Sequence, residues 1–334
     1  MQQFFTTEEM QDFSHEQLSV LRRYWVRNYT DNFQHLKDGF KSISALPDLG
    51  FGKPIAVIGG AEIAPETFLM LKEMDMTTVC CDKALPRVLP YYRPKFVTAL
   101  NTQKTEAVEL EKWFADSKDM SLIVPVTVHP KTVELWKGDV YWMNPTNIHE
   151  DLQMRIEQET GIQPTHRGLN VGEFSLLMAG FMRPVEIGLF GLWYAWRNES
   201  EVVEDPLPDS YSVVKMVDKG DTWYTNIAWL SSRATFLEFC KSIHTQGVEI
   251  YNCSLGGILY HPDYCKEITP EEFKDRWQDA DTERLGNRGD RGASGDENGS
   301  AGTSSGETEG GKDHLLQLPE LQERDASDEH YGGD

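Results

Sequence analysis

An α/β fold with a mainly parallel sheet and helices on both faces is predicted by three observations on this 334-residue chain. Short apolar runs alternate with helix-like runs between residues 54 and 191, the pattern of successive βαβ units. Two glycine turns stand at the joints of that pattern. Gly59-Gly60 closes the run PIAVIGG (54–60), and GLNVG (168–172) opens the run EFSLLMAGF (173–181). The flanks differ from the middle: a helical N-terminal segment precedes it, and an acidic, Gly/Ser-rich segment ends the chain.

The elements follow in order. Residues 7–42 read as a helix, with Thr6, Thr7, Glu8 and Glu9 at its start and Leu18, Leu21, Tyr24 and Trp25 at helical spacing. SALPDLGFGKP (44–54) reads as a loop. PIAVIGG is a buried strand, and PETFLMLKEM (65–74) a helix with Pro65 suited to its first turn. TTVCC (77–81) is the second strand, followed by a short helix from Lys83 to Leu89. KFVTAL (95–100) is the third strand, and TEAVELEKWFAD (105–116) a single helix. SLIVPV (121–126), PKTVELW (130–136) and DVYWM (139–143) continue the rhythm. NIHEDLQMRIEQETG (147–161) and VGEFSLLMAGFM (171–182) are helices, and VEIGLFG (185–191) a strand. Beyond the break EVVEDPLPDS (201–210), YSVVKMVD (211–218) and TWYTNIAW (222–229) predict a hairpin around Lys219-Gly220. A helix over 232–247, a strand at 248–252, a turn at Gly256-Gly257, a short apolar strand and a final helical turn at 271–277 follow. The expected organisation is a helical segment over 1–48, a Rossmann-like domain over 49–200, an α+β extension packing on it over 201–277, and a disordered acidic tail over 278–334.

Composition narrows the class. No run of 18 apolar residues occurs, so no membrane span is expected. The N-terminus lacks the basic-then-apolar layout of a secretory signal. Five cysteines, an odd number without a CxxC pair, fit reduced thiols in the cytoplasm better than a disulfide or zinc framework. The formal net charge is −22, and the last 57 residues carry −10 of it. That balance disfavours binding to nucleic acid and to anionic membranes. GNRGDRGASGDENGSAGTSSGETEGG (286–311) has no aromatic residue and too little apolar surface to offset its ordering entropy. HLLQLPELQE (314–323) is an apolar island inside the tail, either a stray leucine cluster or a short docking peptide for a protein partner.

In an open parallel sheet, ligands bind beyond the C-terminal strand ends, where the strand order reverses. The polar residues at the predicted ends are Asp82, Asn101, Thr102, Asn252 and Ser254. Asp82 lies 22 residues beyond Gly60, where a dinucleotide fold places its ribose-binding acid. Glu62 in GGAEIAPE opposes a pyrophosphate over the first turn and disfavours a nicotinamide or S-adenosylmethionine enzyme. GLNVG is the stronger anion turn. Asn170 can cap the following helix, Gly172 permits close approach, and His166-Arg167 would add positive charge. A capped core helix without a ligand is the alternative. His129, His149 and His166 are too scattered for a metal site, and no GxSxG, HExxH or Walker motif occurs.

Four segments resemble the 6-hydroxymethylpterin diphosphokinase MptE-like domain family and the related motility accessory factor flagellin glycosyltransferases. They are PIAVIGGAEIAPETFLMLKE (54–73), TVCCDKALPRVLPYYRPKFVTALN (78–101), GLNVGEFSLLMAGFMRPVEIGLFG (168–191) and IYNCSLGGILYHP (250–262). The resemblance spans residues 50–262 and is most specific in the last two. It implies a Rossmann-like transferase using a nucleotide or nucleotide-sugar, with Mg2+ in the kinase members. Gly59, Gly60, Asp82, Asn170, Gly172, Asn252, Gly256 and Gly257 fit the family pattern. Three positions depart from it: Asn101 and Leu192 stand where the family has aspartates, and Gly-Gly-Ala-Glu replaces Gly-x-Gly-Pro-Ser. Each departure removes a phosphate or magnesium contact, so the resemblance implies either a metal-independent transferase or a binding protein that has lost catalysis. Asp82 and Asn101 are the candidate catalytic residues. The full expected ligand set is Gly59, Gly60, Asp82, Asn101, Thr102, Arg167, Asn170, Gly172, Asn252, Ser254, Gly256 and Gly257.

Overall fold

Burial on both faces dictates the centre of the molecule. In the computed structural model, which describes residues 7–37, 39–146, 148–198, 213–218 and 221–278, strands β2 (Ile55–Ile58) and β3 (Thr77–Cys81) are buried at every position. Such runs, without polar alternation, belong to a parallel sheet covered on both sides. Before them lie α1 (Thr7–Lys37), β1 (Lys41–Ser42) and α2 (Pro47–Gly50). After them come α3 (Pro65–Glu73, between β2 and β3), α4 (Leu85–Val88), β4 (Phe96–Thr98), α5 (Lys104–Glu109), α6 (Glu111–Phe114), β5 (Ser121–Pro125), α7 (Pro130–Leu135), β6 (Val140–Pro145), α8 (Glu150–Thr160) and β7 (Pro164–Thr165). The chain then forms α9 (Val171–Phe181), β8 (Glu186–Phe190), β9 (Val213–Asp218), β10 (Asp221–Asn226), α10 (Ile227–His244), β11 (Glu249–Asn252) and β12 (Lys266–Glu267), and residues 270–278 are helical.

Ten strands make one sheet in the order β1-β6-β5-β4-β3-β2-β8-β11-β12, with β7 on β6, and every one of these pairings is parallel. From β2 the chain steps outward through β3, β4, β5 and β6, then returns to β8 on the other side of β2. Right-handed crossovers, one stepping outward from β2 to β3 and one returning to β8 on the other side of β2, place α3 and α9 on opposite faces. The α/β reading therefore holds, with a Rossmann-like parallel sheet and a helical N-terminus. The order reverses between β2 and β8. Strand β11 of the expected extension joins this same sheet beside β8.

Several element boundaries differ from the expectation. Residues 105–116 form two short helices, because the backbone leaves the helix at buried Leu110. TWYTNIAW was expected to be strand throughout, yet the strand ends at Asn226, whose Oδ1 accepts the Trp229 N–H at 2.7 Å and starts α10. No strand forms at 258–262, and a two-residue strand appears instead at 266–267. The hairpin is present as the antiparallel pair β9–β10. Its tip, the 201–210 break and the acidic tail beyond Gln278 lie outside the described residues.

Helix α1 is held across the C-terminal edge of the sheet. The Asn28 side-chain amide donates to the Thr102 and Thr127 carbonyls at 3.0 Å each. Asn32 donates to the carbonyls of Val126 and Val128 at 3.0 and 2.8 Å. Both asparagines are buried, so these bonds replace water at carbonyls that would otherwise be unpaired. Among the described residues no helix is long and apolar enough to cross a membrane. All five cysteines are free and buried.

Candidate functional site

Strand ends beyond a parallel sheet gather polar residues, and two clusters form here. The first is the crevice between β2 and β8, where the strand order reverses. It is closed. Gly59 N–H donates to the Phe190 carbonyl at 2.7 Å and Ala61 N–H to the Gly191 carbonyl at 2.9 Å. A Cβ on Gly59 would overlap the Gly191 carbonyl and the Leu192 side chain, and one on Gly191 would lie 2.7 Å from Ile63. Arg87 donates to the Gly60 carbonyl. Glu62 is paired with Arg197 at 3.2 Å, and that guanidinium lies 4.4 Å from the Trp193 ring centroid. Leu192 stands here in place of the aspartate that the resemblance expects, and its side chain packs directly against Gly59.

The turn at Gly256-Gly257 belongs to the same closed region. Gly257 has φ +86°, and a Cβ there would overlap the Trp193 backbone. Asn252 donates to the Leu259 carbonyl at 2.5 Å and accepts from Ser254 N–H at 3.0 Å. Ser254 Oγ accepts from Leu192 N–H at 3.2 Å and donates to the Leu189 carbonyl. These residues fasten the segment after β8 to β11.

The second cluster is open. A cleft of about 320 Å³ is lined by Leu21 and Trp25 of α1, Asp82 and Lys83 after β3, Leu100 to Thr102 after β4, and Arg167 and Leu169 to Val171 before and at the start of α9. Asp82 is 1% exposed. Its Oδ2 accepts from the Asn101 side-chain amide at 2.8 Å, and its Oδ1 from Lys83 N–H at 2.7 Å. Asn101 is fixed in turn by the bond from His129 N–H to its own carbonyl, at 2.7 Å. Arg167 is half-buried over the Trp25 ring, its guanidinium carbon 5.7 Å from the centroid. Burial brings its pKa down to about 10, which leaves it charged at neutral pH. Lys83 reaches from the rim to Glu109 at 3.4 Å.

The wall formed by GLNVG is built around a buried carboxylate. Asn170 caps α9, its Oδ1 accepting from Glu173 N–H at 3.0 Å and from the Tyr194 hydroxyl at 3.1 Å. Its amide donates to Glu173 Oε1 at 2.9 Å, and Leu169 N–H donates to Glu173 Oε2 at 2.6 Å. This is a capping box carried by Asn and Glu. Gly168, at φ +72°, packs so closely that a Cβ would lie 2.5 Å from that of Glu173. Glu173 is wholly buried, and burial raises its pKa to about 7 despite these bonds.

The structure thus brings Asp82, Asn101, Thr102, Arg167 and Asn170 into one cleft. It places Gly59, Gly60, Asn252, Ser254, Gly256 and Gly257 outside the lining, and Gly172 behind it, against Leu192, Asn170 and Tyr194. One electrostatic expectation is corrected. His166 adds no charge, because burial and then Arg167 lower its pKa, and its Nδ1 accepts from Gly168 N–H at 3.0 Å. His129 and His149 are used the same way, as N-caps of α7 and α8. Leu21, Trp25, Lys83 and Glu173 were missed. The Asn170-x-x-Glu173 spacing was the local signal for Glu173, whereas nothing local announces that α1 forms a wall.

Among the described residues no group of three His, Cys, Asp or Glu side chains is placed to hold a metal ion. Asp82 is the sole carboxylate in the lining, and both its oxygens already accept hydrogen bonds. One carboxylate is too few to hold a magnesium ion without the phosphates of a bound nucleotide.

With this geometry in place, the class is defined at the level of fold: a Rossmann-like α/β protein with a polar cleft beside its switch point. A solved structure of a MAf glycosyltransferase from Magnetospirillum magneticum AMB-1 shares this fold, with a TM-score of 0.52 at 15% identity. The likeness covers 70% of this chain and 39% of that one, so this chain spans about two-fifths of the longer protein. No family model matches the chain, and no curated protein does.

Proposed function

We propose that the cleft binds a nucleotide or nucleotide-sugar and that the protein is a glycosyltransferase-like transferase that needs no metal held by the protein. The carrying observation is the buried Asp82–Asn101 pair facing a cleft that also holds Arg167 and Lys83. In this reading the two cations take the phosphates, and Asp82 accepts from a ribose or sugar hydroxyl, oriented by the Asn101 amide. Trp25 forms the apolar wall. The fold shared with the glycosyltransferase supports the class of reaction, and the single carboxylate in the cleft favours one that needs no magnesium held by the protein alone. Five buried free thiols fit a reducing compartment such as the cytoplasm.

A second reading, a binding protein without catalysis, is favoured by one observation. The positions where the resembled family carries two aspartates hold Asn101, an amide, and Leu192, a plug.

Thermal melting with CMP, UDP, GDP and ATP, each with and without Mg2+, tests the proposal by mass action. A raised midpoint with CMP, UDP or GDP, independent of Mg2+, is expected. No shift with any of the four would sink the transferase reading. Binding with no transfer from any sugar donor selects the second reading.

A further inference from the structure

A carboxylate buried in the wall of an anion-binding cleft has consequences for what can enter. Glu173 occupies the position at the start of α9 that an external oxyanion would take, one hydrogen bond behind the cleft-lining Leu169. Leu169, Asn170 and Val171 line the cleft, and the first two bond directly to its carboxylate. The ionised carboxylate repels a phosphate held by Arg167 and Lys83, whereas the protonated form does not. We infer that an oxyanion entering the cleft is taken up together with a proton on Glu173. This rests on the nucleotide reading above and adds its regulation: the site fills more readily as pH falls.

The surroundings allow it. Glu173 is wholly buried and meets mainly neutral donors: Leu169 N–H, the Asn170 amide and the Ser232 hydroxyl from α10. Facing it from the segment after β8 is Tyr194, which shares Asn170 with it and whose own ionisation is suppressed by burial. From β3 comes Cys81, bonded to Ser175 on the same helix, its pKa pushed up to about 12 by burial. His166 and Arg167 stand on the same turn, the first neutral and the second turned to Trp25. Burial already places the Glu173 carboxyl near pH 7, so a modest added negative potential tips it.

Calorimetric titration of the full chain with UDP-glucose, whose phosphodiesters do not titrate between pH 6 and 8, tests the coupling. Buffers of different ionisation enthalpy read the proton count, and inorganic sulfate serves as a second, nucleotide-free probe. Affinity should fall about 3- to 10-fold from pH 6 to pH 8, with net uptake of a fraction of a proton at pH 7. Glu173→Gln should flatten both. Ser232→Ala removes a donor to the carboxylate and should move the midpoint upward, which keeps the test alive if the first variant folds poorly. Equal affinity at both pH values, or a slope that survives in Glu173→Gln, overturns the coupling and leaves the nucleotide reading standing. Sulfate binding with the expected slope but no UDP-glucose binding upholds the coupling and removes UDP-glucose as a ligand. Binding of neither probe overturns both.

Discussion

The two strand-end regions of this sheet start from similar chemistry and finish differently. At the reversal between β2 and β8, glycine turns meet Leu192, Ile63 and Trp193, and the crevice is packed shut. One strand over, beyond β3 and β4, a carboxylate and an amide remain buried at the edge of an open cleft. A buried carboxylate costs stability unless it is satisfied, whereas an apolar plug adds to it. The difference teaches that glycines beside a strand end report close backbone approach, and here that approach serves packing. In the reading proposed above, the retained polar pair, not the glycine turn, marks the ligand's place.

The largest effect should come from filling the closed side. Gly59→Ala would drive a methyl into the Gly191 carbonyl and Leu192, and should cost about 3 kcal/mol or more in denaturant unfolding. Its neighbour Gly60 has nothing nearer than the Lys83 Cβ at 3.9 Å, so Gly60→Ala should stay within about 0.5 kcal/mol. Equal costs at the two positions would break the comparison.

Next in size is the pH dependence set by Glu173. Its folded pKa, about 7, lies above the ordinary carboxyl value, so the folded state binds more protons. The stability it contributes is fully present below pH about 4.5 and is lost as pH rises through about 7. The stability of the wild type relative to Glu173→Gln should therefore fall across that window, by up to about 3 kcal/mol in favour of the variant. A difference that is constant from pH 4.5 to 7.5 would contradict a carboxyl raised by burial. Asn170→Ala, which removes the cap and the Tyr194 contact, should cost about 1–2 kcal/mol and weaken any nucleotide bound in the cleft. The smallest effect belongs to Leu169→Ser at the cleft mouth. That side chain is 61% exposed, and unfolding should shift by no more than about 0.5 kcal/mol.

What the sequence revealed divides along the same line. Strand cores at 55–58 and 77–81 were legible because continuous apolar runs mark parallel strands, and Asp82, Asn101 and Asn170 followed from their places at element ends. The start of α10 was hidden because TWYTNIAW alternates like a strand until Asn226 turns the backbone. The break at Leu110 was hidden because Ala107, Leu110 and Phe114 keep helical spacing through it and are all buried. The sealing of the β2/β8 crevice was invisible, since Leu192 and Gly59 lie 133 residues apart in sequence and meet only in the fold. The wall formed by Leu21 and Trp25 was equally hidden. It depends on Asn28 and Asn32 reaching carbonyls 74 to 99 residues away, a pairing with no local pattern.

The contrast between the two regions is tested most directly by nucleotide affinity in matched variants. Titration of the nucleotide giving the largest thermal shift against Arg167→Gln, Asp82→Asn and Gly60→Ala compares the open cleft with the closed crevice in one experiment. Loss of tenfold or more in the first two, with Gly60→Ala unchanged, is the result expected. Loss in Gly60→Ala with the two cleft variants unaffected would place the ligand at the β2/β8 crevice and contradict the account.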